Sequence, residues 1–146
     1  MPDRKRATRT SAVVARVLLA GFVLLLAYAV LLPSNDHEGL RLIERVSLQI
    51  AGLGLPHAPV FWAVETTANV AMFVPLGVLL PIALQREDRR ALILTVLAGG
   101  LLSVAIELSQ MLIPGRVSDM KDIVTNTLGA LVGVLLVVVV RRLRSA

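Results

Sequence analysis

A run of polar and charged residues lies inside the apolar second half of the chain, between Glu107 and Gly133. Carboxyl, amide and guanidinium groups can move protons, hydrogen-bond a polar ligand or hold an ion. In a membrane such groups are costly, and they usually have a partner or a function. The candidate ligand-binding residues are Asn69, Glu107, Gln110, Arg116, Asp119, Asp122 and Asn126.

Besides binding a ligand, these groups could catalyse a reaction or hold a metal ion. Glu107 and Asp122 are candidate general bases, and Arg116 is the candidate for stabilising developing negative charge. Asp119 and Asp122 also offer oxygen ligands for a divalent cation such as Mg²⁺, although we predict neither a metal site nor a cofactor. The chain has no cysteine, which excludes disulfides, cysteine zinc sites and thiol nucleophiles.

Each candidate also has a structural interpretation that the sequence leaves open. Asp119 and Asp122 are suited to cap the last helix, because carboxylates are favoured at a helix N-terminus. Arg116 could form a salt bridge with either of them. The two asparagines could join helices by hydrogen bonds worth about 0.6–2 kcal/mol each. For Glu107 a functional role is favoured, since a carboxylate deep in lipid must be paired, protonated or hydrated.

The composition indicates an integral membrane protein. Hydrophobic residues make up 56% of the chain, mean hydropathy is +0.80, and only 17% of residues are charged, against about 25% in soluble domains. The formal charge of +5 comes from basic residues at segment ends, not along an aromatic surface, so we predict no nucleic-acid binding. His37 and His57 have no second ligand at metal spacing.

Four apolar windows are long enough to cross a membrane, which takes about 20 residues. They are residues 13–32, 62–84, 91–113 and 123–140. The first is longer than the roughly 7–15 apolar residues of a signal peptide, so we expect an uncleaved helix. Eleven Lys and Arg residues flank one side of these segments and four flank the other. This asymmetry predicts a multi-pass protein of the cell membrane with both termini cytoplasmic.

The first loop contains apolar residues at helical spacing, which predicts a short external helix at the membrane interface. These residues are Leu40, Ile43, Val46, Ser47 and Ile50. The predicted fold is therefore an all-α integral membrane protein with four transmembrane helices and one interfacial helix. Residues 1–12 form a basic cytoplasmic tail, 13–140 a single transmembrane domain, and 141–146 a second basic tail.

The polar residues agree in depth. A helix rises about 1.5 Å per residue, and this places Asn69, Glu107 and Asn126 about 10, 9 and 6 Å below the outer surface. Helical spacing turns these residues to the bundle interior. Gly129 and Gly133 would let helix backbones approach closely. The sequence thus predicts one shared polar site near the outer leaflet.

Two motifs within residues 60–135 have a specific spacing. They read Asn69-x-x-x-Phe73-x-Pro75-x-Gly77 and Glu107-x-x-Gln110-x-x-x-Pro114-x-Arg116-x-x-Asp119-x-x-Asp122-x-x-x-Asn126-x-x-Gly129. This pattern resembles the VanZ-like family of small integral membrane proteins, named for an accessory protein linked to teicoplanin resistance. The resemblance implies a membrane protein that acts on or near envelope lipids or lipidated antibiotics.

Three functions stay open. The first, which we favour, is non-enzymatic binding of an amphiphile from the outer leaflet: a membrane lipid, a lipid-linked cell-wall precursor or a lipoglycopeptide, with a role in glycopeptide resistance. Arg116 and the N-terminus of the last helix would hold an anionic headgroup. The second is an intramembrane enzyme acting on lipid-linked substrates. The third is a proton-coupled carrier with Glu107 as the titrating group, which would need to form a homo-oligomer.

Overall fold

All regular secondary structure in the described residues is helical. The structure, a computed structural model, describes residues 2–31, 38–112 and 119–145, and the side chains of 10–28, 41–112 and 119–145. The helices are α1 (Pro2–Leu31), α2 (Glu38–Ala51), α3 (His57–Leu84), α4 (Arg89–Gln110) and α5 (Met120–Ser145). Four segments have the length and hydropathy to cross a membrane: Thr10–Tyr28 within α1, and the whole of α3, α4 and α5. The predicted all-α membrane architecture is confirmed.

Helices α1, α3 and α5 run about five residues or more beyond the predicted apolar windows, and α3 begins at His57. Helix α1 begins at Pro2, inside the predicted basic tail, and α5 continues to Ser145. Arginine, lysine and alanine are good helix formers. The helices therefore continue past the apolar residues. The basic residues at the start of α1 and at the end of α5 extend these two transmembrane helices.

Helix α3 is the centre of the bundle, because it packs against every other helix and most extensively against α5. The apolar core joins Leu26 of α1 to Phe73 and Leu76 of α3. Large apolar side chains on the outside of the bundle, such as Leu24 and Leu101, stay about 70% exposed. Such a surface would be unfavourable in water and suits contact with lipid chains.

Polar contacts close the end of the bundle that carries the α3–α4 connection. Helix α3 ends at Leu84, and the next residue, Gln85, has a left-handed φ of 55°. The Arg16 Nε of α1 donates to the Ala83 carbonyl at 2.9 Å, one of the last carbonyls of α3, which lack a partner within the helix. Asp88 caps α4 by accepting from the backbone N–H of Arg90 and Ala91. Hydrogen bonds as well as apolar contacts therefore hold this end of the bundle together.

Helix α2 lies in the loop where the sequence predicts an amphipathic helix. It packs against α3, and its Ser47 is fully buried with the hydroxyl donating to the Ile43 carbonyl at 2.7 Å. The opposite face is exposed and combines basic with large apolar residues: Arg41, Leu42, Arg45 and Leu48. This mixture is typical of a helix lying at a membrane interface.

Candidate functional site

Glycines bring α3 and α5 into backbone contact just below the polar residues. A Cβ on Gly129 would collide with the Val70 carbonyl oxygen, and one on Gly133 would collide with the Val74 carbonyl oxygen. Only residues without a side chain allow helix axes to approach this closely. The structure therefore confirms the predicted packing role of these two glycines. Their close contact holds α5 beside the polar face of α3.

The start of α5 is capped by its own sequence. Asp119 Oδ1 accepts from the Lys121 backbone N–H at 2.9 Å, and Asp119 Oδ2 lies 3.0 Å from Lys121 Nζ. The backbone N–H and the ammonium group of Lys121 hold the pKa of the Asp119 carboxyl below its usual value. Asp119 therefore stays ionised over the physiological pH range, and it fulfils the capping role that the sequence allowed for it.

Glu107 of α4 reaches the same helix end. Its side chain is buried, at 4% exposure, and Oε2 accepts from the Asp119 backbone N–H at 2.9 Å. The N-terminus of a helix carries partial positive charge, so the start of α5 compensates this buried carboxylate. Two amide groups that an anionic headgroup would need at this helix end are thus already bonded to carboxylates of the chain.

Asn69 joins α3 to α5 through Asp122. The Asn69 Nδ2 donates to Asp122 Oδ1 at 2.6 Å, so an amide group of α3 is bonded directly to a carboxyl group of α5. Asp122 lies in the first turn of α5, but its carboxylate accepts from another helix rather than from the α5 backbone. Of the two predicted capping residues, only Asp119 has that contact.

Ser103 and Asn126 complete the link between α4 and α5. The Asn126 Nδ2 donates to Ser103 Oγ at 2.9 Å, and Ser103 Oγ lies 3.4 Å from the Asp122 carbonyl oxygen as a long hydrogen-bond donor. Ser103 is fully buried and Asn126 is 6% exposed. The Asn126 Oδ1 is buried and has no hydrogen-bond partner among the described residues. A ligand group or a water molecule that reached this atom would supply the missing donor.

The layer formed by these residues has an excess of negative charge and of acceptors. The charges of Glu65, Glu107 and Asp119 all act on the Asp122 carboxylate, and among the described residues only the Lys121 ammonium opposes them. A ligand that supplies hydrogen-bond donors or positive charge would be favoured here, whereas an anion would be repelled.

The remaining predicted residues lie at the edge of this network or outside the described part. Gln110 is half-buried at the end of α4, and its side chain takes no part in the hydrogen bonds above. Arg116 lies outside the described residues, so its salt-bridge and ligand-binding predictions stay predictions. In the described ranges, no three His, Cys, Asp or Glu side chains are grouped to hold a metal ion.

Sequence reasoning missed Ser103, the residue that connects Asn126 to the rest of the network. Its spacing to Glu107 is i, i+4, which places both side chains on one face of α4. That spacing is the available signal. Serine is easily passed over because its hydroxyl often bonds to the backbone of its own helix, as Ser109 does with the Ala105 carbonyl.

Four membrane-length helices around a buried polar network define a multi-pass integral membrane protein. A family model described as VanZ/LLP1 matches residues 19–141. The chain therefore belongs to the VanZ-like family, and the whole network from Asn69 to Asn126 falls inside the match. No curated protein and no solved structure matches the chain.

Proposed function

We propose that this protein binds an amphiphile of the cell envelope through the polar network of α3, α4 and α5. The observation that carries the proposal is a hydrogen-bonded set of polar side chains from three membrane helices, half-buried at Asn69 and Asp122 and buried at Ser103 and Asn126. Among the described residues, one buried acceptor of this set, Asn126 Oδ1, has no partner. A buried acceptor without a partner costs about 1–3 kcal/mol. A ligand that donates a hydrogen bond to this atom would remove that cost.

The charge of the network favours one kind of head group. Carboxylates outnumber the single ammonium in the described layer, and the first amides of α5 are bonded to Glu107 and Asp119. These contacts favour a head group that carries hydroxyl, amide or amine donors over a simple anion. The donor of such a head group would bond Asn126 Oδ1, while its apolar tail would lie against the exposed leucines of the bundle.

Membership of the VanZ-like family supports a particular set of amphiphiles. The family name is linked to glycopeptide resistance, and glycopeptides act on lipid-anchored wall precursors outside the membrane. We therefore propose an envelope lipid, a lipid-linked cell-wall precursor or a lipoglycopeptide as ligand, with a role in teicoplanin resistance. This role requires both termini to be cytoplasmic, so that the network faces the outer leaflet.

The two other functions have less support. Glu107 and Asp122 already accept hydrogen bonds from the chain itself. A general base or a proton carrier needs a carboxylate that can take up and release a proton. The intramembrane enzyme and the proton-coupled carrier stay predictions.

Native mass spectrometry of the detergent-purified protein tests the proposal. We expect the wild type to retain an amphiphile adduct, and Asn126→Leu to reduce its occupancy roughly tenfold, since the lost hydrogen bonds are worth about 1–3 kcal/mol. Asp122→Asn keeps an acceptor for Asn69 but removes the charge. A loss in this variant would identify a cationic head group.

Thr127→Val is the matched control. Thr127 lies on the same helix as Asn126, but its hydroxyl donates only within α5, to the Ile123 carbonyl at 2.6 Å. Its adduct should equal that of the wild type. Equal adducts in the wild type, Asn126→Leu and Asp122→Asn would contradict the proposal and assign the network to helix packing alone.

A further inference from the structure

A groove lies between the start of α4 and the end of α5, at the opposite end of these helices from the polar network. It consists of two adjoining cavities of about 400 Å³ each. Because both cavities belong to the side of the bundle that carries the chain termini, they are separate from the proposed outer site. What could occupy them does not depend on that site.

Three arginines supply positive charge to the lining of the groove. Arg89 of α4 and Arg141 and Arg142 of α5 line one cavity, and apolar side chains line the rest of it, among them Ile93, Val96 and Leu131. None of the described residues lining this cavity is acidic. The groove is therefore cationic at the membrane surface and apolar below it.

We propose that this groove binds one anionic phospholipid from the leaflet that faces the two termini. Arg142 and Leu131 are eleven residues apart on α5, or about 16 Å along the helix. Half of the hydrocarbon core of a bilayer is about 15 Å thick. The phosphate would contact the guanidinium groups, which suit its geometry, while one acyl chain follows the apolar walls to mid-membrane. Basic pockets between transmembrane helices on the cytoplasmic side bind anionic head groups in this way.

The arginine guanidinium groups are the donors that would bind the phosphate, because the nearby backbone amides at the start of α4 already have partners. Arg141 Nη1 donates to the Glu87 carbonyl at 3.0 Å, which orients this guanidinium and leaves its other N–H groups for a ligand. The first amides of α4, those of Arg90 and Ala91, are already bonded to Asp88. Glu87 lines the adjoining cavity beside Arg141, and the three arginines outweigh its single negative charge.

Spin-labelled lipids in reconstituted vesicles test this site. The full-length protein is placed in phosphatidylcholine vesicles, and the motionally restricted fraction of labelled phosphatidylglycerol is compared with that of labelled phosphatidylcholine. We expect the wild type to prefer phosphatidylglycerol and the triple variant Arg89→Gln, Arg141→Gln, Arg142→Gln to lose at least about tenfold of that preference, the usual effect of losing one hydrogen bond to a charged group.

The triple variant Arg86→Gln, Arg90→Gln, Arg144→Gln is the control, because it removes the same charge from the same end without altering a lining residue of either cavity. It should keep the preference. Equal loss in both triple variants would replace the site by a diffuse charge effect and overturn the proposal. Displacement of the lipid by inorganic phosphate at constant ionic strength would also overturn it, in favour of a free-anion site.

A second variant keeps the proposal testable if the arginine variant fails to fold. Ile93 is half-exposed in the apolar part of the groove, so Ile93→Trp fills the groove without a change of charge. It should reduce the restricted phosphatidylglycerol fraction towards the phosphatidylcholine value. An unchanged fraction in this variant would contradict a lipid chain in the groove.

Discussion

Gly133→Ala is expected to separate α3 from α5 and to lower the free energy of unfolding by about 1–3 kcal/mol, the usual cost of overpacking. The added Cβ would collide with the Val74 carbonyl oxygen and lie 2.8 Å from the Gly77 Cα. Both neighbours are backbone atoms, so no rotamer change can make room. Unfolding of the detergent-solubilised protein, followed by circular dichroism against denaturant, measures the effect.

Gly21→Ala is the control for this prediction. Gly21 is also in a membrane-length helix, but a Cβ there would meet nothing within 4 Å. This variant should be more stable than the wild type by about 0.5–1 kcal/mol, because alanine is the better helix former. Equal unfolding curves for Gly133→Ala and Gly21→Ala would show that the helices do not approach as closely as the structure has them.

Asn69→Leu is expected to destabilise the protein more than Asp122→Leu, although both changes remove the same 2.6 Å hydrogen bond. The first leaves the Asp122 carboxylate without its donor and beside the negative charges of Glu65 and Glu107. The second also removes that repulsion. We expect a cost of about 1 kcal/mol for Asn69→Leu, the lower end of the roughly 1–3 kcal/mol for an unsatisfied group, because the Asp122 carboxylate is only half-buried.

A double-mutant cycle measures the link itself. The coupling between Asn69→Leu and Asp122→Leu should approach the upper end of measured interhelical hydrogen bonds in membranes, about 1.7 kcal/mol. Asn69→Leu combined with Thr127→Val should be additive, because Thr127 bonds only within its own helix. Additivity in both cycles would mean that Asn69 and Asp122 do not interact in the folded protein.

The convergence of polar residues on one layer could be predicted because two simple rules fix it. Helical periodicity determines which face carries Asn69, Glu107 and Asn126, and the length of a membrane helix determines their depth. The glycine contacts follow from the same rules, since Gly129 and Gly133 recur one turn apart on the inward face. Neither rule depends on the details of a loop.

The pairing within the layer could not be predicted from the sequence. Glu107 bonds to the Asp119 backbone N–H, a contact that depends on how the α4–α5 connection returns to the bundle. The sequence assigned capping equally to Asp119 and Asp122, and only the positions of neighbouring helices show that Asp122 bonds to Asn69 instead. Serine in a membrane helix gives a weak signal, so Ser103 became a site residue only through its contact with Asn126.

The account depends most on α3, α4 and α5 placing these polar groups together, and paired cysteines test this directly because the chain has none of its own. Pairs at positions 69 and 122, and at 103 and 126, should be bridged by cadmium or by a short bifunctional thiol reagent. A pair at 80 and 122 should not, since Leu80 lies eleven residues, or about 16 Å, further along α3 than Asn69.

Single cysteine variants show which side of the membrane the polar layer faces. A cysteine at position 65, half-buried in the third turn of α3, should react with a membrane-impermeant maleimide added to intact cells. A cysteine at position 145 should react only after the membrane is permeabilised. Bridging of the two near pairs together with this labelling is the result we predict. Failure of both pairs to bridge, or labelling of position 65 only after permeabilisation, would contradict a shared polar site open to the outer leaflet.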